Sequence, residues 1–251
     1  ITSFSPASAG FFSYVTITGN NFNNITEVKF GAVPALFFFV NSPTSILAQV
    51  GKGASGDITV ANASGTANAP NFVFVPQPVI TGFSPATGGL GTVVTITGRY
   101  FTNTNAVSFG NIKAQSFTVL SDTVITGVLS TGASGYISVN TSVGGGAAST
   151  GIFIHTGPTI NSFTPVSGPG GTAISIKGTN FTGATSVSVG GIPVGSFTVD
   201  AATGISAIVA SGSQDLVQVN TPLGSASLGS FNRIKINSFS PTEGRTGDTI
   251  Q

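Results

Sequence analysis

Cysteine is absent from all 251 residues, so neither disulfides nor thiolate metal sites are available and the fold must hold by core packing alone. Charge is almost as scarce. Eight Lys and Arg stand against seven Asp and Glu, which makes 6% of the chain charged with a net charge of +1; an ordinary soluble domain carries roughly 25%. Nucleic-acid binding gathers Lys and Arg on one face to neutralise phosphates. No such face is visible, so nucleic acid is excluded as a partner. Long apolar runs are missing too: Gly, Pro and Asn break each one well short of the roughly 20 residues of a membrane helix, so this segment is expected to insert no helix into a membrane. The chain opens without Met or a leader and stops at Gln251 inside a strand-like run, and it reads as a segment of a longer protein.

What the sequence does contain is repetition. "ITSFSP" at Ile1 returns as "ITGFSP" at Ile80, "INSFTP" at Ile160 and "INSFSP" at Ile236, a period of about 80 residues. "VTITGNNF" (Val15 to Phe22) returns as "VTITGRYF" (Val94 to Phe101) and "ISIKGTNF" (Ile174 to Phe181). "VKFG" at Val28, "FFFV" at Phe37 and "GDITV" at Gly56 keep the same order and have counterparts in both later periods. Val15 and Ile17 alternate with Thr16 and Thr18, the period-two pattern of a half-buried antiparallel strand. Gly19, Gly98 and Gly178 follow that strand where a turn needs a permissive backbone. Six or seven such strands per period, with Gly, Asn and Ser turns between them and no sustained helical period, predict an all-β sandwich in each. With 40% hydrophobic residues there is enough to fill the cores.

Ile-x-x-Phe-x-Pro, a Gly-rich turn and then Val-Thr-Ile-x-Gly-x-x-Phe resembles the IPT/TIG family of immunoglobulin-like domains. The resemblance implies tandem early-set immunoglobulin-like sandwiches in an extended array. The expected modules are 1–77, 78–157 and 158–234, with the start of a truncated fourth at 235–251. It leaves function open, because similar modules occur in receptor ectodomains, Rel-type transcription factors, starch-acting enzymes and bacterial surface proteins.

Residues retained in every module serve the fold common to all. Phe4, Phe83 and Phe163 occupy one position, Phe22, Phe101 and Phe181 a second, and Phe38, Phe117 and Phe197 a third. These nine are the expected core scaffold, each contributing about 1.5–3 kcal/mol on burial. Pro6, Pro85, Pro165 and Pro241 follow the opening strand, where a missing N–H suits an edge or turn. Phe239 repeats the first of these positions, Phe30 and Phe109 share a fourth, and Phe72, Phe74, Phe153 and Phe231 lie in closing strands; the four that remain, Phe11, Phe12, Phe37 and Phe39, are all in module 1. If Phe38 points inward, Phe37 and Phe39 point outward, where the later modules have Ser116 with Thr118 and Ser196 with Thr198. Phe12 stands where they have Gly91 and Gly171. Phe12, Tyr14, Phe37 and Phe39 are therefore a candidate interaction patch for a neighbouring domain, subunit or glycan; the alternative is that Phe37 and Phe39 lie under a loop of their own module.

Catalytic, metal-binding and cofactor-binding residues are not predicted. The one His, His155, sits in a Gly- and Pro-containing joint, which predicts a solvated linker histidine and excludes a His-based triad or multi-His metal site within this segment. The acids Glu27, Asp57, Asp122, Asp200, Asp215, Glu243 and Asp248 do not recur at matching positions. "GGLG" (Gly88 to Gly91) and "GPGG" (Gly168 to Gly171) lead into strands, whereas a phosphate cradle needs a following helix. Asn24, Asn62, Asn140 and Asn180 head Asn-x-Ser/Thr sequons of the kind that so Asn-rich a chain generates by chance. Prolines in "VPQPVI" (Val75 to Ile80) and "HTGPTI" (His155 to Ile160) predict restricted joints. "FNRIKI" (Phe231 to Ile236) has no Pro and is expected to be the stiffest, one strand running into the next. The expected function is a non-enzymatic stalk or filament-forming segment of a bacterial surface or secreted adhesin-like protein, outside the cell. Its expected partners are other domains of the parent chain, copies of itself, or a surface protein or glycan. The alternative is a carbohydrate- or protein-binding array that uses the module 1 aromatics.

Overall fold

A computed structural model describes residues 1–131 and 134–234. The fourth-module motif, with Lys235 and Ile236 of the third joint, lies outside the described residues. No helix occurs among the described residues, so none is long and apolar enough to cross a membrane. Each period is a two-sheet sandwich, and the immunoglobulin-like expectation holds in all three.

Module 1 shows how the sequence produces it. Its strands are β1 (Ser3–Ser5), β2 (Ser8–Ala9), β3 (Tyr14–Thr18), β4 (Glu27–Phe30), β5 (Val33–Pro34), β6 (Phe37–Ser42), β7 (Ser45–Gln49), β8 (Gly56–Asn62) and β9 (Gly65–Phe74). One sheet has the order β1-β3-β7-β6 and the other β2-β9-β8-β4-β5. Pro6 lies between β1 and β2, where the chain leaves the first sheet for the second; β2 runs parallel to β9 and the other pairings are antiparallel. In β3 the alternation of the sequence becomes two faces: Val15 and Ile17 are fully buried while Tyr14, Thr16 and Thr18 are exposed. Across the sheet Ile17 is registered with Phe4 on one side and Ile46 on the other, so a continuous apolar layer faces the second sheet.

Modules 2 and 3 repeat this construction. The first sheet of module 2 is ordered Val79–Ser84, Val93–Arg99, Val124–Val128, Ser116–Ser121, and that of module 3 Thr159–Thr164, Ala173–Thr179, Gly204–Ile208, Ser196–Ala201. Each module has its own buried cluster, centred on Ile17, Phe30, Ile46 and Phe72 in module 1, Ile96, Phe109, Ile125 and Phe153 in module 2, and Ile176, Phe181, Ile205 and Phe231 in module 3. The chain divides into two compact units, the first holding residues Ile1–Ala86 and Val93–Ile154, the second Thr87–Thr92 and His155 onward.

The recurring phenylalanines do not all sit at the centre of these cores. Phe22, Phe101 and Phe181 are buried to 4% exposure or less, and Phe163 is buried to 8%; Phe4 and Phe83 are half-buried. Phe38, Phe117 and Phe197 are also half-buried and pack against the core from the side, because their strand is the edge of its sheet and has a neighbour on one flank alone. The aromatic centre is instead made by Phe30 with Phe72, ring centroids 4.8 Å apart, and Phe109 with Phe153, 5.6 Å apart. Phe4 and Phe83 meet the edges of these pairs at 6.3 and 6.5 Å. Such tilted and edge-on pairs add to simple burial through the ring quadrupoles.

Candidate functional site

The outer face of the first sheet of module 1 is built by β3, β7 and β6. Tyr14 is registered with Gln49, which is registered with Phe37; one step along, Thr16 pairs with Leu47 and Leu47 with Phe39. Side chains two residues apart share a face, so Tyr14, Gln49 and Phe37 form one row and Thr16, Leu47 and Phe39 the next. Tyr14 is 53% exposed and Phe37 and Phe39 each 57%. The two phenylalanines are not covered by a loop of their own module. Gln49 also donates its Nε2 to the Phe12 carbonyl at 3.1 Å, tying the loop after β2 to the same rows. Phe12, 56% exposed, lies against Phe11 with centroids 3.9 Å apart and has a left-handed backbone, φ 65°. None of the side chains in the two rows carries a charge. All four predicted residues are exposed, and three of them share one sheet face; Leu47 and Gln49, which join the rows, were not singled out from sequence because only the strand pairing places them between Tyr14 or Thr16 and the phenylalanines.

The same rows are small in the other modules. In module 2 they read Val93, Val128, Ser116 and Thr95, Thr126, Thr118; in module 3, Ala173, Ile208, Ser196 and Ser175, Ser206, Thr198. Module 3 consequently has a shallow depression of about 360 Å³ there, lined by Ala173, Ser175, Ser196, Thr198, Ser206 and Ile208 among others. The aromatics thus make module 1 different from its neighbours at the surface while its core is built in the same way.

Polar groups are used locally. Asp122 accepts from Thr102 Oγ1 at 2.6 Å and from the backbone N–H of Thr102 and Tyr100 at 3.1 and 3.2 Å. These bonds, that of the Thr102 hydroxyl above all, hold its carboxyl below the usual carboxylate range. Their structural effect is to fasten the turn in which Tyr100 adopts φ 62°. Glu27 pairs with Lys29 at 2.8 Å on a solvated strand face, and Asp200 accepts from Ser206 at 2.7 Å. No group of three or more His, Asp or Glu suited to a metal ion occurs among the described residues. His155 departs from the expectation of a solvated linker. It ends the strand Gly145–His155, is half-buried, and loss of solvent pushes its pKa below the ordinary histidine value. The glycine loops at Gly88 and Gly168 lead into strands.

No curated protein matches the chain by sequence. Among solved structures, a crystal structure with xylogluco-oligosaccharide is similar at 18% identity and a TM-score of 0.38, covering 92% of this chain and 59% of that one. The plexin A4 full extracellular region is similar at 21% identity and a TM-score of 0.38, covering 83% and 20%. SGBP-B from a complex xyloglucan utilization locus in Bacteroides uniformis is similar at 19% identity and a TM-score of 0.33, covering 74% and 63%. The chain therefore spans less than two thirds of each of these structures. The family itself is shown by sequence: the IPT/TIG domain model matches residues 1–74, 78–154 and 158–232, and the chain belongs to that family as three tandem domains.

Proposed function

We propose that the chain is a non-enzymatic segment of a larger extracellular surface protein, an array of immunoglobulin-like modules that sets the spacing of the domains it connects. The observation that carries this reading is the separate core in each module, which consumes the side chains the modules have in common. The near absence of charge and of cysteine fits a Ser-, Thr- and Asn-covered connector that relies on packing. In this reading the module 1–77, 78–157 and 158–234 boundaries mark units that can be added or removed. Deleting residues 78–157 from the intact parent and imaging it at the cell surface tests the proposal. The reach of the protein from the surface shortens by one module while the remaining domains stay folded; an unchanged reach contradicts it.

The exposed rows of module 1 favour a second role on the same scaffold, contact through Tyr14, Phe37 and Phe39 with Phe12 beside them. Aromatic faces interleaved with a Gln amide and a Thr hydroxyl suit an uncharged partner with alternating apolar and hydroxyl surface, as a neutral glycan has. Replacing Phe37 with Ser and Phe39 with Thr, the residues of modules 2 and 3, removes binding to a neutral glycan array. Retention of binding by that variant assigns the contact elsewhere.

A further inference from the structure

The N-terminal end of each module is formed by the turn before its buried Phe22, Phe101 or Phe181 and by the tip of its last hairpin. In module 2 and module 3 this end is covered. Within the first unit, Gly10 lies so close to the module 2 hairpin that a Cβ there would stand 2.5 Å from the Val143 carbonyl oxygen and 3.1 Å from Gly144. The Pro76 carbonyl of the joint abuts Gly144 in the same way, and Gly144 is buried. Within the second unit, the loop Thr87–Thr92 and the joint after His155 take the equivalent places on module 3. A Cβ on Gly89 would meet the Asn180 side chain at 2.7 Å, and Leu90 reaches over Gly183. Asn180, at φ 57°, donates its Nδ2 to Thr156 Oγ1 and to the Gly157 carbonyl, both at 2.9 Å.

Module 1 has the same end with nothing described over it. Asn21 aligns with Asn180 and has nearly the same left-handed backbone, φ 59°, yet it is exposed where Asn180 is half-buried. Beside it Asn20, Ile25, Asn62, Ser64 and Thr66 line a depression of about 310 Å³ floored by the buried Phe22. Asn62 holds the depression in shape by donating Nδ2 to the Asn23 carbonyl at 3.0 Å and accepting from the Ser64 N–H at 2.9 Å. The hairpin tip is Ser64 where module 2 has Val143 and module 3 has Leu223, so this end is more polar than the other two.

We infer that this end of module 1 is a docking surface for a further IPT/TIG-like module joined ahead of Ile1, received as module 3 receives its joint: a Gly-rich loop over the Asn21 turn and a joint carbonyl and hydroxyl bonded by the Asn21 amide. The inference rests on continuity with the two occupied ends and deepens the array reading. The partner is covalently linked because Asn180 bonds residues that lead directly into Ile160, the counterpart of Ile1. A donor module with a joint of known chemistry already exists in the chain, residues 78–159, so the test places a second copy of it before Ile1 of the full protein. Hydrogen exchange is then compared with the natural chain. The Asn21 amides and the backbone N–H groups of the Asn62–Thr66 hairpin slow by roughly tenfold, the effect of about one hydrogen bond, and Asn21→Asp abolishes the slowing while core amides of module 1 stay protected. Unchanged exchange at these positions, with the added module folded by its own protected core amides, overturns the inference. Should the added module not fold, Asn180→Asp in the natural chain decides it: faster exchange around Gly157 supports the docking role of this Asn, and no change overturns it. Dimerisation of the natural chain that Asn21→Asp abolishes would give the surface to a second copy and overturn the linked-module reading.

Discussion

Phe109 and Phe117 lie eight positions apart in sequence and differ in burial, and so in what their removal costs. Phe109 is 1% exposed and packed on Phe153, so Phe109→Ala leaves a cavity and destabilises module 2 by about 3–5 kcal/mol in denaturant unfolding. Phe117 is a half-buried edge residue, and Phe117→Ala costs clearly less; equal losses would contradict the placement of the core. His155 adds a pH dependence. Its folded-state pKa lies below 6.5, so as pH falls through 6.5 the unfolded chain takes up the proton before the folded one. The stability associated with the half-buried neutral ring is complete above that pH and declines below it. Thermal unfolding compared at about pH 5 and about pH 8 shows this loss, and His155→Asn diminishes it; a variant with an undiminished slope would assign it to other groups. Asp122 acts in a separate acidic window, because its lowered pKa lets it keep its charge on Thr102 and Tyr100 until the pH falls below 3.8.

Strands and their faces were the part most readable from sequence. The Val15 and Ile17 alternation, the three repeats of it and the outward placement of Phe37 and Phe39 all follow from a side-chain period of two, which needs no tertiary information. The identity of the central aromatic pairs was less readable. Phe72, Phe153 and Phe231 lie on closing strands, but the module 2 turn between Thr141 and Gly145 is longer than those of modules 1 and 3, which takes Phe153 out of line in a position-by-position comparison, and Phe30 and Phe109 give way to Val189 in module 3. Burial of the edge-strand column was overestimated for a related reason: repetition shows that a residue serves the fold, but strand order decides how many sides of it are covered. The patch itself depends on pairing, since only register brings Tyr14 into line with Phe37 through Gln49. At this scale the expectation is a separation of stability from binding. Replacing Phe37 with Ser and Phe39 with Thr changes unfolding free energy by no more than about 0.5 kcal/mol, as measured in urea, while any contact made by the face is lost.

At the scale of the molecule, a connector that sets spacing needs joints as well as cores. The first unit contains one complete joint, in which Gly10 and the Pro76 carbonyl pack on the Val143–Gly144 tip at distances that leave no room for a side chain. Gly10→Val is therefore expected to pry this joint open without unfolding either module, because the displaced contacts belong to loops and not to the clusters around Ile17 and Ile96. The measurement that tests the spacing account most directly is pulsed electron–electron distance spectroscopy between spin labels on exposed strand positions of modules 1 and 2, Thr18 and Thr97 for example. A single narrow distance distribution in the natural protein, broadened by Gly10→Val, is the predicted result. A broad distribution in the natural protein, unchanged by the substitution, would mean that the joint hinges freely and that the array does not fix the separation of what it connects.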